Sequence, residues 1–106
     1  MKRLIVKYKD VALGELSYNN NVFCYNVFEK NIQQANKNGY PIMLYKVDKD
    51  FIDQTLPFSL NNMIPDEGTN LYKSAGITQF DNDYEKLLKI ASLPLYDEGL
   101  YVVVED

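Results

Sequence analysis

The sequence predicts an α+β domain: an antiparallel β meander first, short helices after it, and a closing strand. Three observations carry that prediction. Three strand-like runs lie within 4–27, the first alternating and the third rich in β-branched and aromatic residues, with two turn signals between them. Tyr84, Leu87, Leu88 and Ala91 follow the i, i+3, i+4, i+7 spacing of one helical face. Asp97-Glu98-Gly99 then turns the chain into the β-branched run Leu100 to Val104.

Taken in order, Leu4, Val6 and Tyr8 alternate with Ile5 and Lys7, the period of a strand. Lys9-Asp10 is a tight turn into a second strand, Val11 to Tyr18, with Leu16 and Tyr18 on one face and Val11 and Leu13 on the other. Asn19-Asn20-Asn21 is the next turn, because asparagine tolerates the left-handed conformation. Val22 to Val27 is the third strand. Phe28, Ile32 and Ala35 share a helical face, and Gly39 stands where a C′ glycine ends a helix. Pro41 to Tyr45 reads as a strand with proline at its first position, and Lys46 to Thr55 as a charged loop. Phe58 to Ile64 reads as a short helix stopped by Pro65, since a residue before proline is steered away from the helical region. Asp66-Glu67-Gly68 is a turn, Thr69 caps another short helix ending near Gly76, and Asp81 or Asp83 caps the helix at 84–91.

A chain of 106 residues is one domain's worth, and no repeat, low-complexity tract or linker divides it. Its 46% apolar and 25% charged residues are those of a globular domain. The net charge of −4 and the scattered basic residues argue against direct nucleic acid binding, which needs a positive field. The apolar run Leu4-Ile5-Val6 after Met-Lys-Arg is too short for a signal peptide. No stretch approaches the ~20 apolar residues of a membrane span. With the single cysteine Cys24 unable to form an internal disulfide, the expected location is cytoplasmic.

Chemistry is sparse. With no histidine, the commonest general base and metal ligand is missing. Cys24 inside a strand reads as a small buried hydrophobe. Asp48, Asp50 and Asp53 lie close together, as do Asp81, Asp83 and Glu85, yet neither run has both the central glycine and the distant glutamate of a calcium loop. The five glycines are isolated, so no phosphate loop exists. Neither an enzyme, a metal nor a cofactor is expected. What remains is the segment from Leu56 to Gly68, which packs apolar groups between Pro57 and Pro65. It is either a core-packing turn or a rigid knuckle offering Met63, Ile64 and an acidic turn to a partner.

Several motifs together resemble the N-terminal subdomain of HipA-type serine/threonine kinase toxins. Ala12-Leu13-Gly14-Glu15-Leu16 is similar to that family's Val-Gly-Glu-Leu strand, Phe23-Cys24-Tyr25 to its Phe-x-Tyr strand, and Pro41-Ile42-Met43-Leu44 to its Pro-Leu-Ser-Leu strand. Phe58 to Gly68 resembles its Phe-x-x-x-Leu-Leu-Pro-Glu-Gly segment, with one extra acidic residue and no arginine after the turn. Tyr84 to Leu88 takes the place of its Phe-x-Leu-Leu helix, and Leu100 to Val104 that of its closing strand. The nucleotide loop and catalytic aspartates of the kinases are not in this chain, which in that respect resembles the small HipS-like antitoxins of three-component HipBST-type systems. That resemblance implies an antitoxin that binds the small lobe of a HipA-like kinase toxin near its active site. A HipB-like helix-turn-helix protein would be the third member. Phe58 would then anchor the knuckle in the core, Met63, Ile64 and Pro65 would touch the kinase, Asp66 and Glu67 would meet its basic groups, and Gly68 would permit the turn. On this reading Ile64→Asp weakens the complex without unfolding the domain. The alternatives are the N-terminal subdomain of a longer HipA-type kinase or a structural subunit of one, a general scaffold, and last an enzyme working through carboxylates.

Overall fold

In a computed structural model, which describes residues 3–91 and 99–105, three antiparallel strands form the centre of a five-stranded sheet. They are β1 (Arg3–Tyr8), β2 (Val11–Asn19) and β3 (Val22–Val27). β4 (Phe51–Asp53) pairs with β3 and β5 (Leu100–Glu105) with β1, both antiparallel, giving the order β4-β3-β2-β1-β5. The α+β class and the meander agree with the sequence pattern. Asn20 and Asn21 both take positive φ, 53° and 63°, the backbone of a tight two-residue hairpin whose twist matches the strands. Of the expected turn at Asp97-Glu98-Gly99, only Gly99 lies within the described residues.

The faces of β2 differ from expectation. Val6 pairs with Gly14 but Lys7 pairs with Ala12, so Leu13 is an extra residue in a β-bulge. The bulge shifts the side-chain period by one. Leu13 and Leu16, expected on opposite faces, are both fully buried in the same core. Gly14, beside Leu13, has no room for a side chain: a Cβ there would stand 2.7 Å from Cζ of Tyr25 and 2.7 Å from the Asn26 carbonyl oxygen.

α1 (Glu29–Lys37) buries Ile32 and Ala35. Its start is pinned to the bulge, since the Phe28 N–H donates to the Leu13 carbonyl at 2.8 Å and Asn31 Nδ2 to that of Ala12 at 2.8 Å. Gly39, at φ +76°, ends the helix as expected, and the Tyr40 N–H returns to the Ala35 carbonyl.

Pro41 to Tyr45 is not a strand. The Leu44 N–H donates to the Pro41 carbonyl, Lys46 to Met43 and Val47 to Ile42, so the segment is a run of tight turns. Ile42 and Val47 are both fully buried. They are five residues apart, and an extended chain would point them to opposite faces; only a loop buries both. The charged segment Lys46 to Thr55 in turn contains β4, too short at three residues to show an alternating pattern.

α2 (Phe58–Asn61) covers only the first half of the helix expected over 58–64; Met63 and Ile64 continue in turns onto Leu60 and Asn61. α3 (Asn70–Ser74) is capped by Thr69, whose Oγ1 accepts from the Tyr72 N–H. α4 (Asp83–Ile90) is capped by neither Asp81 nor Asp83. Asn82 takes that position in a reciprocal capping box with Glu85, which satisfies two free backbone donors at once. Asp81 instead accepts from the Thr78 N–H at 2.8 Å and from Lys89 Nζ at 2.6 Å. Leu87 and Ile90 carry α4 into the core, and the Tyr84 hydroxyl donates to the Leu16 carbonyl.

The buried apolar side chains form one cluster, with Ile5 outside it. Cys24 is half-exposed rather than buried. No described helix is long and apolar enough to cross a membrane.

Candidate functional site

Three large apolar side chains lie exposed on the turns after α1 and at the start of α2: Met43 at 69%, Leu44 at 82% and Phe58 at 79%. Covering such a side chain is worth about 1.5–3 kcal/mol, so three left open in two neighbouring segments make this face the candidate site. Phe58 was expected to anchor the core. Leu60 does so instead, fully buried two residues on, with Leu56 beside it in the cluster. Phe58 opens α2 directly after Pro57, the N-cap residue, and its ring points to solvent.

The platform is held from below. The buried Tyr25 hydroxyl donates to the Val47 carbonyl at 2.7 Å, and Ser59 Oγ to that of Tyr45 at 2.5 Å. Between these two anchored carbonyls Lys46 takes a left-handed backbone, φ +59°. A non-glycine residue there costs of order 1 kcal/mol and persists only where its surroundings determine it. Burial pushes the Tyr25 hydroxyl far above the usual tyrosine range, with Asp48 and Asp50 adding to the shift, so it stays a donor.

The expected knuckle lies next to this platform. Met63 and Ile64 are half-buried and pack against the core, and Pro65 is half-buried too. Ile64→Asp would therefore disturb packing as well as any contact. Asp66, Glu67 and Gly68 are exposed; Gly68 takes φ +86°, the conformation for which glycine is required. The Asp66 carbonyl accepts from the Thr69 N–H and hydroxyl, which fixes the turn.

Three recesses run along this side of the molecule. The first, about 450 Å³, lies between β4 and the turn carrying Met43. The second, about 230 Å³, is formed between Leu44 and Phe58. The third, about 420 Å³ and polar, lies between the Ile64 to Glu67 turn and α4. Lys46 borders the first two and Asn62 the last two, so the recesses adjoin one another as a strip. The strip is acidic at both ends: Asp48, Asp50 and Asp53 against Lys46 and Lys49 in the first recess, Asp66, Glu67 and Asp83 against Lys86 in the third. Phe80, 86% exposed, follows Gln79 at the polar recess.

This arrangement offers apolar contact at its centre and negative charge at its ends. Among the described residues, no three Asp, Glu or Cys side chains are grouped to hold a metal ion. Of the seven residues expected to form the site, the structure brings Phe58, Ile64, Pro65, Asp66 and Glu67 onto the strip, while Met63 faces the core and Gly68 shapes the turn. Met43 and Leu44 were missed. The only sequence signal for them was the odd spacing of Ile42 and Val47. No family model matches the chain, and no curated protein or solved structure does either.

Proposed function

We propose that this chain is a binding protein of the HipS-like antitoxin kind, neutralising a HipA-like kinase toxin by docking on its small lobe near the active site. The observation that supports this reading best is the pair Leu44 and Phe58, both exposed and forming one recess, in a strip that also holds the acidic turn at Asp66 and Glu67. The apolar pair supplies affinity, and the carboxylates orient the chain against a basic partner and speed encounter. No reaction is required of it, because a ligand that binds one kinase conformation better shifts the population toward that conformation. A HipB-like DNA-binding protein would join the same complex.

The test is growth of cells induced for the partner kinase, with this chain as wild type and as Leu44→Asp or Phe58→Asp, together with co-purification. Rescue and a stable complex with the wild type, both lost in the variants, are expected. Co-purification without rescue would make the chain a structural subunit of the kinase. Absence of both binding and rescue would overturn the proposal.

A further inference from the structure

β4 is one of the two edge strands of the sheet and, among the described residues, is paired only with β3. Among the described residues, no strand or loop backbone is hydrogen-bonded to its outer edge. An open edge presents unpaired N–H and C=O groups, a template for another strand.

Two further features flank this edge. Phe51 and Asp53, on one face of β4, help line the first recess, whose apolar walls are Met43, Leu56 and Pro57. On the other face Ile52 is bare, 75% exposed. A strand laid beside β4 at about 4.8 Å would alternate its side chains, placing one against Ile52 and its neighbours over the recess. One extended occupant thus accounts for the open edge, the recess and the bare isoleucine. A helix in the recess would leave the edge and Ile52 unmatched.

Charge narrows the occupant. Asp48, Asp50 and Asp53 surround the recess with Lys46 and Lys49. Asp50 accepts from the Val27 N–H at 2.7 Å, and Asp53 from the Thr55 N–H at 3.2 Å and the Thr55 hydroxyl at 3.4 Å. None of the three carboxylates is in an ion pair among the described residues. A second copy of this chain would bring the same aspartates to the junction, where like charges repel. We infer that β4 takes up an extended strand of another protein, with an apolar side chain for the recess and basic side chains for the aspartates, by β-strand addition. This inference rests on the sheet edge and not on the antitoxin reading.

The test is selection of a displayed library of random twelve-residue peptides on the purified chain, followed by titration of an enriched peptide while backbone amides are observed by NMR. The expected result is a peptide alternating apolar and basic residues, cross-strand contacts to Phe51–Asp53, and at least tenfold slower amide exchange there. Ile52→Lys, at an exposed position, should keep the melting temperature and weaken that peptide at least tenfold. Failure to enrich any peptide, enriched peptides that contact only the Leu44–Phe58 recess or the polar recess, or self-association of the chain through β4 would each overturn the inference.

Discussion

The Tyr25 hydroxyl, at the centre of β3, donates a 2.7 Å hydrogen bond to the carbonyl of Val47, and so ties the sheet to the turn that displays Met43 and Leu44. Tyr25→Phe leaves that carbonyl without its donor and should cost about 1–3 kcal/mol in urea unfolding. Its pH dependence has a definite sign. The folded-state pKa is raised above the unfolded value near 10.0, so stability is intact below that value and falls as pH rises beyond it, because the unfolded chain releases the proton first. Melting temperatures measured between about pH 9 and 12 should drop less steeply in Tyr25→Phe.

Gly14 leaves no room for a side chain against the same tyrosine. Gly14→Ala sets a methyl group 2.7 Å from a ring carbon of Tyr25 and from a backbone oxygen of Asn26. The ring can shift, but the backbone cannot shift cheaply. A loss of about 1–3 kcal/mol is expected, seen as a lower urea midpoint with unchanged slope.

Phe58 and Leu60, two residues apart in one short helix, should separate binding from stability. Phe58→Ser removes an exposed ring and should change stability by less than about 0.5 kcal/mol. Leu60→Ala empties a fully buried position and should cost about 2–5 kcal/mol. Equal losses in denaturant titrations would mean that Phe58 belongs to the core after all.

The Lys89 ammonium and the Thr78 N–H hold the Asp81 carboxyl below its ordinary value of 3.8. A depressed carboxyl pKa contributes stability above the unfolded value, and that contribution is lost as pH falls through the folded one. Asp81→Asn should therefore destabilise the chain at neutral pH and converge on the wild type at low pH. Thermal melts from about pH 2 to 7 would show it.

Much of the frame was readable from local pattern. Alternation placed β1 and β2, β-branched and aromatic runs placed β3 and β5, asparagine placed the second hairpin turn, and the helical spacing at 84–91 placed α4. The acidic turn at Asp66 to Gly68 was legible because Gly68 needs a left-handed backbone. The helix cap was misplaced by one residue because asparagine and aspartate are nearly equivalent caps, and the choice of Asn82 rests on Glu85 three residues later and on Lys89 drawing Asp81 away.

Local pattern shows which residues are apolar and how often they recur, and that was enough for the fold class and the order of its main elements. It does not show which of two apolar neighbours reaches the core. That choice depends on where the rest of the chain has left space: Leu13 joins Leu16 through a bulge, Leu60 takes the place expected of Phe58, and Ile42 and Val47 turn inward together and leave Met43 and Leu44 outside. The apolar centre of the candidate surface is thus what remains after the core is filled, a property of packing between segments distant in the chain.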